Sequence, residues 1–347
     1  MKGRSMVEKV ITTRVEIRDL IKELVISIYY PSSDEIIDGL IDLINKVSDY
    51  HEEGQALYPD VLVVNNSAYF NTFLNHRIKL VEKSLKRADF SQCIKMCAPL
   101  AVGGWNIYVT LLEDGKIEYG LLTSEMATLS LSLYEQTMNV GVPEVNAIYI
   151  RNAGNKVVEV RTVQTKILIS LNLNEGGYSL DKTVYDLVQL ILANNIAKNP
   201  EKINFLNKII RQALNEGHGN LIAVSEPGKG AINSVLANFH GGITLETPID
   251  LSKLANDCLL FHTEEASLKL SSYAGLLQSM LNFDGITLFS SDGKIIGYHY
   301  IVNNDKVAEE NIEGGARTRA FSALCGLEGL IACFMKSQDG KIKFNRK

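Results

Sequence analysis

The densest group of residues able to do chemistry is Gly314-Gly315-Ala316-Arg317-Thr318-Arg319. Glycines leading into a helix leave backbone N–H groups pointing outward, and the helix dipole adds partial positive charge, so an anion is favoured there. Two arginines beside such a start can hold phosphate oxygens in their planar forks. Taken alone, the same run also describes a solvated helix start with surface arginines. A second candidate is Asp284-Gly285, at a helix-to-strand junction. An aspartate there can ligate a divalent cation carrying a nucleotide phosphate, and the glycine allows a ligand to approach closely. Alone, it reads better as an ordinary Asp-Gly turn. His218, between Gly217 and Gly219, reads equally as a ligand contact and as a partly exposed histidine at a helix end.

Other groups carry less. Glu52-Glu53-Gly54 reads first as a solvated acidic loop and second as part of another site or a domain contact. Cys93 and Cys97 stand four apart on a helical pattern, but no neighbouring Cys or His completes a tetrahedral metal set, so packing is the better reading. Trp105 is most simply a core anchor.

The elements that must position these residues follow from periodicity. Ser33 precedes Ile36, Ile37, Leu40, Ile41, Ile44 and Val47, a capped amphipathic helix. After a loop at 51–59, Val61 to Val64 reads as a strand, and Phe73, Leu74, Ile78, Val81 and Leu85 read as a second helix. Between about 100 and 173, short β-branched runs at 105–112, 117–122, 147–150, 157–163 and 167–173 alternate with turns such as Glu113-Asp114-Gly115-Lys116 and Asn152-Ala153-Gly154-Asn155. This half is expected to be α+β with antiparallel strands.

Glu175-Gly176-Gly177 breaks the pattern and sets the expected boundary, giving domains 1–176 and 177–347. Beyond it come a helix carrying Val184, Leu187, Val188, Ile191 and Leu192, and another opened by Asn199-Pro200. A strand at 221–224 follows. From 263 the order is helix, strand, turn at 291–293, strand, helix from about 316, strand, turn at 338–340 and strand. Strands interleaved with helices imply α/β organisation, with a mixed twisted sheet flanked by helices in the C-terminal part. Asp-Gly-Lys recurs at Asp114, Asp292 and Asp339, but hairpin turns of this kind arise independently, so the recurrence carries little weight.

The chain of 347 residues exceeds the size at which one core stops growing, and 46% apolar with 22% charged residues is near the globular average. A net charge of −5 argues against a general nucleic-acid or membrane-surface binder. Charges interrupt the first 25 residues, so no export signal is expected there, and no uncharged apolar run reaches spanning length. Five scattered cysteines suit reduced thiols. A cytoplasmic protein is the expectation.

Taken in order, Asp284-Gly285-Ile286, Ser291-Asp292-Gly293-Lys294-Ile295, Gly315-Ala316-Arg317-Thr318-Arg319-Ala320-Phe321 and Lys336-Ser337-Gln338 ahead of Gly340 resemble the diadenylate cyclase superfamily over about 181–347. In that family the corresponding stretches read Asp-Gly-Ala, a hairpin, Gly-Thr-Arg-His-Arg-Ala-Ala and Ser-Glu-Glu. Tyr50-His51-Glu52-Glu53-Gly54, Cys97-Ala98-Pro99-Leu100 with Gly104-Trp105, and Gly217-His218-Gly219-Asn220-Leu221 are similar to the standalone DACNV group, described as sensor domains with a proposed setting in bacterial defence. The resemblance implies a nucleotide or cyclic dinucleotide ligand held by Asp284, Gly285, Gly315, Ala316, Arg317, Thr318, Arg319 and His218. It implies Mg or Mn on Asp284 if ATP is bound, and a homo-oligomer or an effector protein as partner.

The departures bear on chemistry. Both acids of the Ser-Glu-Glu stretch are missing, Thr318 stands for the histidine between the arginines, and Ile286 adds bulk where the family carries alanine. Lys336 could pair with phosphate but cannot hold Mg²⁺. Three functional readings follow: a sensor that holds a nucleotide without reacting it, an active diadenylate cyclase using Asp284 with Glu313 or Glu328, and an interaction module on an inactive fold. The last is favoured if Ile286 and Phe321 fill the pocket.

Overall fold

The apolar stripe behind Ser33 forms the expected helix, with the Ser33 hydroxyl accepting from the Ile36 N–H at 3.3 Å. The computed structural model describes residues 7–11, 14–28, 33–125, 129–139, 147–154, 156–162, 165–170, 180–195, 199–216, 219–303, 315–338 and 340–347. The chain divides into two units, Met1–Met126 with Ser130–Gly177, and Ala127–Leu129 with Tyr178–Lys347. Each is α/β, with a mixed sheet and helices on both faces.

The first unit runs β1 (Val7–Ile11), α1 (Arg14–Ile28), α2 (Asp34–Ser48), β2 (Tyr50–Glu52), β3 (Gln55–Leu57), β4 (Val61–Val64), a 3-10 turn (Ser67–Thr72), β5 (His76–Ser84), α3 (Arg87–Cys97), β6 (Asn106–Leu111), β7 (Lys116–Thr123), α4 (Leu133–Asn139), β8 (Ala147–Gly154), β9 (Val157–Arg161) and β10 (Thr165–Ser170). Its main sheet has the order β1-β10-β9-β8-β4-β6-β7-β5. The period of two sorts the strands: Val61, Val63, Ile107, Val109, Ile148 and Ile150 pack under α1, α2 and α3, while Leu62, Val64, Tyr108 and Tyr149 face the 3-10 turn and α4. Cys93 and Cys97 are buried in the first of these layers, thiol against thiol, and Trp105 packs against its edge. Glu52-Glu53-Gly54 is the tight turn joining β2 to β3, with Glu53 and Gly54 both at positive φ.

Two expectations for this unit need correction. The segment through Ile78 and Val81 is the strand β5 and not a helix; it lies at the sheet edge, mostly exposed, with a register shift between Lys79 and Val81 that breaks the alternation. Nor is the sheet wholly antiparallel, because β4 pairs with β6 and β1 with β10 in parallel. Between β4 and β6 the chain passes through β5 and α3, a crossover that returns it in the same direction.

The second unit runs α5 (Leu180–Ile191), α6 (Pro200–Glu216), β11 (Asn220–Ser225), α7 (Lys229–Leu236), β12 (Phe239–His240), β13 (Ile243–Asp250), α8 (Leu251–Phe261), α9 (Glu264–Asn282), β14 (Ile286–Ser290), β15 (Lys294–Val302), α10 (Ala316–Gly326), β16 (Leu330–Lys336) and β17 (Ile342–Arg346). Asn199 accepts from the Lys202 N–H at 2.9 Å and so starts α6 as its sequence implied. The elements from α7 to α8 fill a stretch to which the sequence reading assigned none. The sheet order is β12-β15-β14-β11-β16-β17, with β13 also on β15. Ile222, Val224, Phe289, Ala332 and Phe334 face α5, α6, α8 and α9; Leu221, Ala223, Ile286, Leu288, Cys333 and Met335 face α7 and α10.

Among the described residues, no helix is long and apolar enough to cross a membrane. Within β15, a Cβ on Gly297 would stand 2.3 Å from the Ile243 carbonyl oxygen and 2.2 Å from the Tyr300 hydroxyl, so the approach of β13 depends on its absence. Gly297→Ala should cost about 1–3 kcal/mol through overpacking, seen as a lower urea midpoint.

Candidate functional site

Strand register builds the site. β11 and β14 run parallel with Leu221 beside Ile286, which brings Gly219 and Asp284, each two residues earlier, to neighbouring strand entries. Asn220 ties this end together, its amide donating to the Leu281 carbonyl at 2.7 Å and to Asn282 Oδ1 at 3.2 Å.

Asp284-Gly285 is a turn of demanding geometry. Gly285 has φ +101°, and a Cβ there would lie 2.9 Å from the His299 backbone. Only glycine suits both conditions. His299 is itself at φ +63°, beside register shifts in the β14–β15 ladder. Its Nδ1 lies 2.5 Å from the Asp284 carbonyl oxygen, and its ring meets Phe283 edge to face at 4.8 Å.

The third component is the start of α10. Gly315 is its N-cap and offers no side chain to accept from the N–H groups of the first turn. Gly315, Ala316 and Arg319 are exposed, while Arg317 and Thr318 are half-buried. The Arg317 guanidinium lies against Gly219, where a Cβ would come within 3.0 Å of its Cζ. Arg317 Nη2 is also 3.7 Å from Asp284 Oδ1, with the Asp284 side chain 85% exposed. A pair this open to water contributes at most about 1 kcal/mol, so a competing anion can displace the carboxylate.

Asp284, Gly285 and Arg317 therefore meet with Gly219 at one rim, and Gly315, Ala316, Thr318 and Arg319 flank it on the same turn of helix. His218 and Glu313 lie outside the described residues. Glu328 is exposed beyond the other end of α10, about 15 Å along the helix axis from Arg317, and does not join Asp284. No group of three or more His, Cys, Asp or Glu side chains suited to a metal occurs among the described residues.

Lys336 is not at the rim. It shares a face of β16 with Ala332 and Phe334, is 3% exposed, and donates from Nζ to the Leu214 carbonyl at the end of α6. Its ammonium thus sits on the opposite side of the sheet from Arg317 and does not serve as a phosphate contact. Ile286 and Phe321 are both buried in the layer beneath α10, with Leu221, Leu324 and Met335. The space below the rim is consequently apolar core. Sequence reasoning missed His299 and Phe283. The signal for His299 was a histidine within the strand run 295–302; its positive φ could not be read.

No family model matches the chain, and no curated protein matches it. Among solved structures, it is similar to a hypothetical membrane spanning protein from Bacillus cereus, at 20% identity over 46% of this chain and 65% of that one, with a TM-score of 0.30. The chain thus covers less than two-thirds of that protein, and the likeness is too slight to bear on fold or function.

Burial pushes Lys336 down to about 8, because desolvation disfavours its charged form. An unfolded lysine titrates near about 10.4. The unfolded chain then binds more protons between about pH 8 and 10, so stability should rise with pH across that window. Lys336→Met should flatten the rise, as read by urea unfolding at pH 7, 8, 9 and 10.

Proposed function

We propose that the second unit is a sensor domain that holds a nucleotide or cyclic dinucleotide by its phosphates at the rim formed by Gly219, Asp284 and the start of α10. The observation that carries this reading is the seat of Arg317. Its guanidinium rests on a glycine, beside a helix start without a side-chain cap, and its acidic neighbour is solvent-exposed. A fork-shaped cation beside the N–H groups of a helix start suits an anion. Phe283, 52% exposed and one residue before Asp284, offers a ring on which a base can rest.

Binding without reaction is favoured over diadenylate cyclase activity. Metal-assisted attack on a nucleotide phosphate needs carboxylates around the ion, and the stretch that reads Ser-Glu-Glu in the family it resembles holds Lys336-Ser337-Gln338. Mg or Mn would enter with a bound nucleotide, on Asp284. The resemblance further suggests a homo-oligomer or an effector protein as the recipient of the signal and a setting in bacterial defence, for a chain whose sequence reads as cytoplasmic.

A second reading has its own observation. Ile286 and Phe321 fill the space under α10, which favours an interaction module on an inactive fold. Calorimetry with ATP and cyclic dinucleotides separates the two. Binding should weaken at least tenfold in Arg317→Ala with Arg319→Ala; no binding, or binding indifferent to that change, would leave the interaction module. Phe283→Ala should weaken the nucleotide more than it weakens inorganic pyrophosphate, since only the former has a base. Incubation with ATP and Mn²⁺ should yield no cyclic di-AMP.

A further inference from the structure

The two units share the connectivity of six strands. In the second, β11 pairs parallel with β14, β14 and β15 form a hairpin, β13 pairs with β15, and β16 then β17 extend the other side of β11. In the first, β4 pairs parallel with β6, β6 and β7 form a hairpin, β5 pairs with β7, and β8 then β9 extend the other side of β4. Each of these strands occupies the same place in the chain order, while β1, β2, β3, β10 and β12 have no counterpart among the described residues. The helices agree as well: α1 and α2 precede β4 as α5 and α6 precede β11, and α4 precedes β8 as α10 precedes β16.

Register makes the correspondence residue by residue. Leu62 pairs with Tyr108 on one side and Tyr149 on the other, and all three face α4. Leu221 pairs with Ile286 and Met335, and all three face α10. The hairpins supply an independent count. Asp114-Gly115-Lys116 turns β6 into β7 and Asp292-Gly293-Lys294 turns β14 into β15, with Gly115 and Gly293 both at positive φ. Asn106 stands as far before Asp114 as Asp284 stands before Asp292. Both counts therefore place Asn106 at the position of Asp284, and the register alone places Asp60 at that of Gly219. In the same way Tyr134, second in α4 behind the capping Ser132, takes the place of Arg317, second in α10 behind Gly315.

These first-unit residues bond to one another. The Tyr149 hydroxyl reaches Asp60 Oδ2 at 2.8 Å and Asn106 Oδ1 at 3.3 Å. The Tyr134 ring meets Tyr149 edge to face at 5.2 Å, and its hydroxyl donates to Glu159 Oε1 at 2.9 Å. Arg151 covers the Tyr134 ring at 3.5 Å and pairs with Glu159 at 2.9 Å, with both charged side chains buried. Arg161 completes the group by bonding the Tyr134 hydroxyl. Where the second unit has Gly219, the exposed Asp284 and Arg317, the first has Asp60, Asn106 and Tyr134, with Tyr149 bonded across the first two and the buried Arg151–Glu159 pair behind Tyr134.

We propose that the chain is a tandem of two copies of one fold, and that the first copy's counterpart of the rim is closed by Tyr134 and Tyr149, leaving one ligand site per chain. The stoichiometry rests on the function proposed above; the closure does not.

The two are tested separately on the full chain. Tetranitromethane followed by peptide mass spectrometry should nitrate Tyr185, which is 48% exposed, at least tenfold faster than Tyr134 or Tyr149. Equal rates at Tyr134 would overturn the closure, whatever the ligand. Native mass spectrometry with ATP or cyclic di-AMP should count one bound nucleotide per chain, lost in Arg317→Ala with Arg319→Ala. A second nucleotide that survives that double substitution would overturn the closed first site. If none binds, the functional reading fails while nitration still decides the closure. A crystal structure in which Leu62, Tyr108 and Tyr149 do not superpose on Leu221, Ile286 and Met335 would refute the duplication.

Discussion

The second unit depends on β11, a strand buried on both faces and flanked by a parallel neighbour on one side and an antiparallel one on the other. Because Leu221 and Ala223 point to one helix layer and Ile222 and Val224 to the other, a slip of one residue would turn every side chain into the wrong core. That constraint locks the register with β14, and the register in turn sets Gly219 beside Asp284. Arg317 comes to rest there because position 219 has no side chain. The rim is thus a consequence of core packing several residues away, and the Arg317–Asp284 ion pair within it is weak.

The alternation that locks β11 also decides what happens to Lys336. A strand residue points to one face or the other, and the parity of β16 sends position 336 toward α6. The lysine therefore resolves its charge locally, against the Leu214 carbonyl and through a lowered proton affinity. A lysine in this stretch therefore adds no positive charge at the rim.

Much of this was legible beforehand where periodicity is strong. The stripes of α2, α5 and α9 and the turns at Asp114 and Asp292 come directly from side-chain spacing, and Asp284 and Arg317, both singled out in the sequence, lie 3.7 Å apart. The edge strand β5 was not legible, since charges on both faces and a register shift erase the period of two. Neither was the parallel pairing of β4 with β6, which depends on a crossover and leaves no mark on either strand. The placing of Ile286 and Phe321 in the core could be posed as a question from sequence but answered only by packing. Asp-Gly-Lys at two equivalent turns looked like coincidence, because the signal of duplication lies in connectivity and register while the surrounding side chains have diverged.

That pattern of retention has a consequence for how such a chain can change. In a symmetric assembly of identical subunits, any substitution is made in every copy at once, so a site cannot be sealed in one and kept in another. Two copies joined in a single polypeptide are freed from that coupling. Positions governed by backbone geometry, such as the positive-φ glycines at 115 and 293, stay alike because both halves obey the same steric rules. Positions governed by what they hold are free to part, as Tyr134 and Arg317 have done.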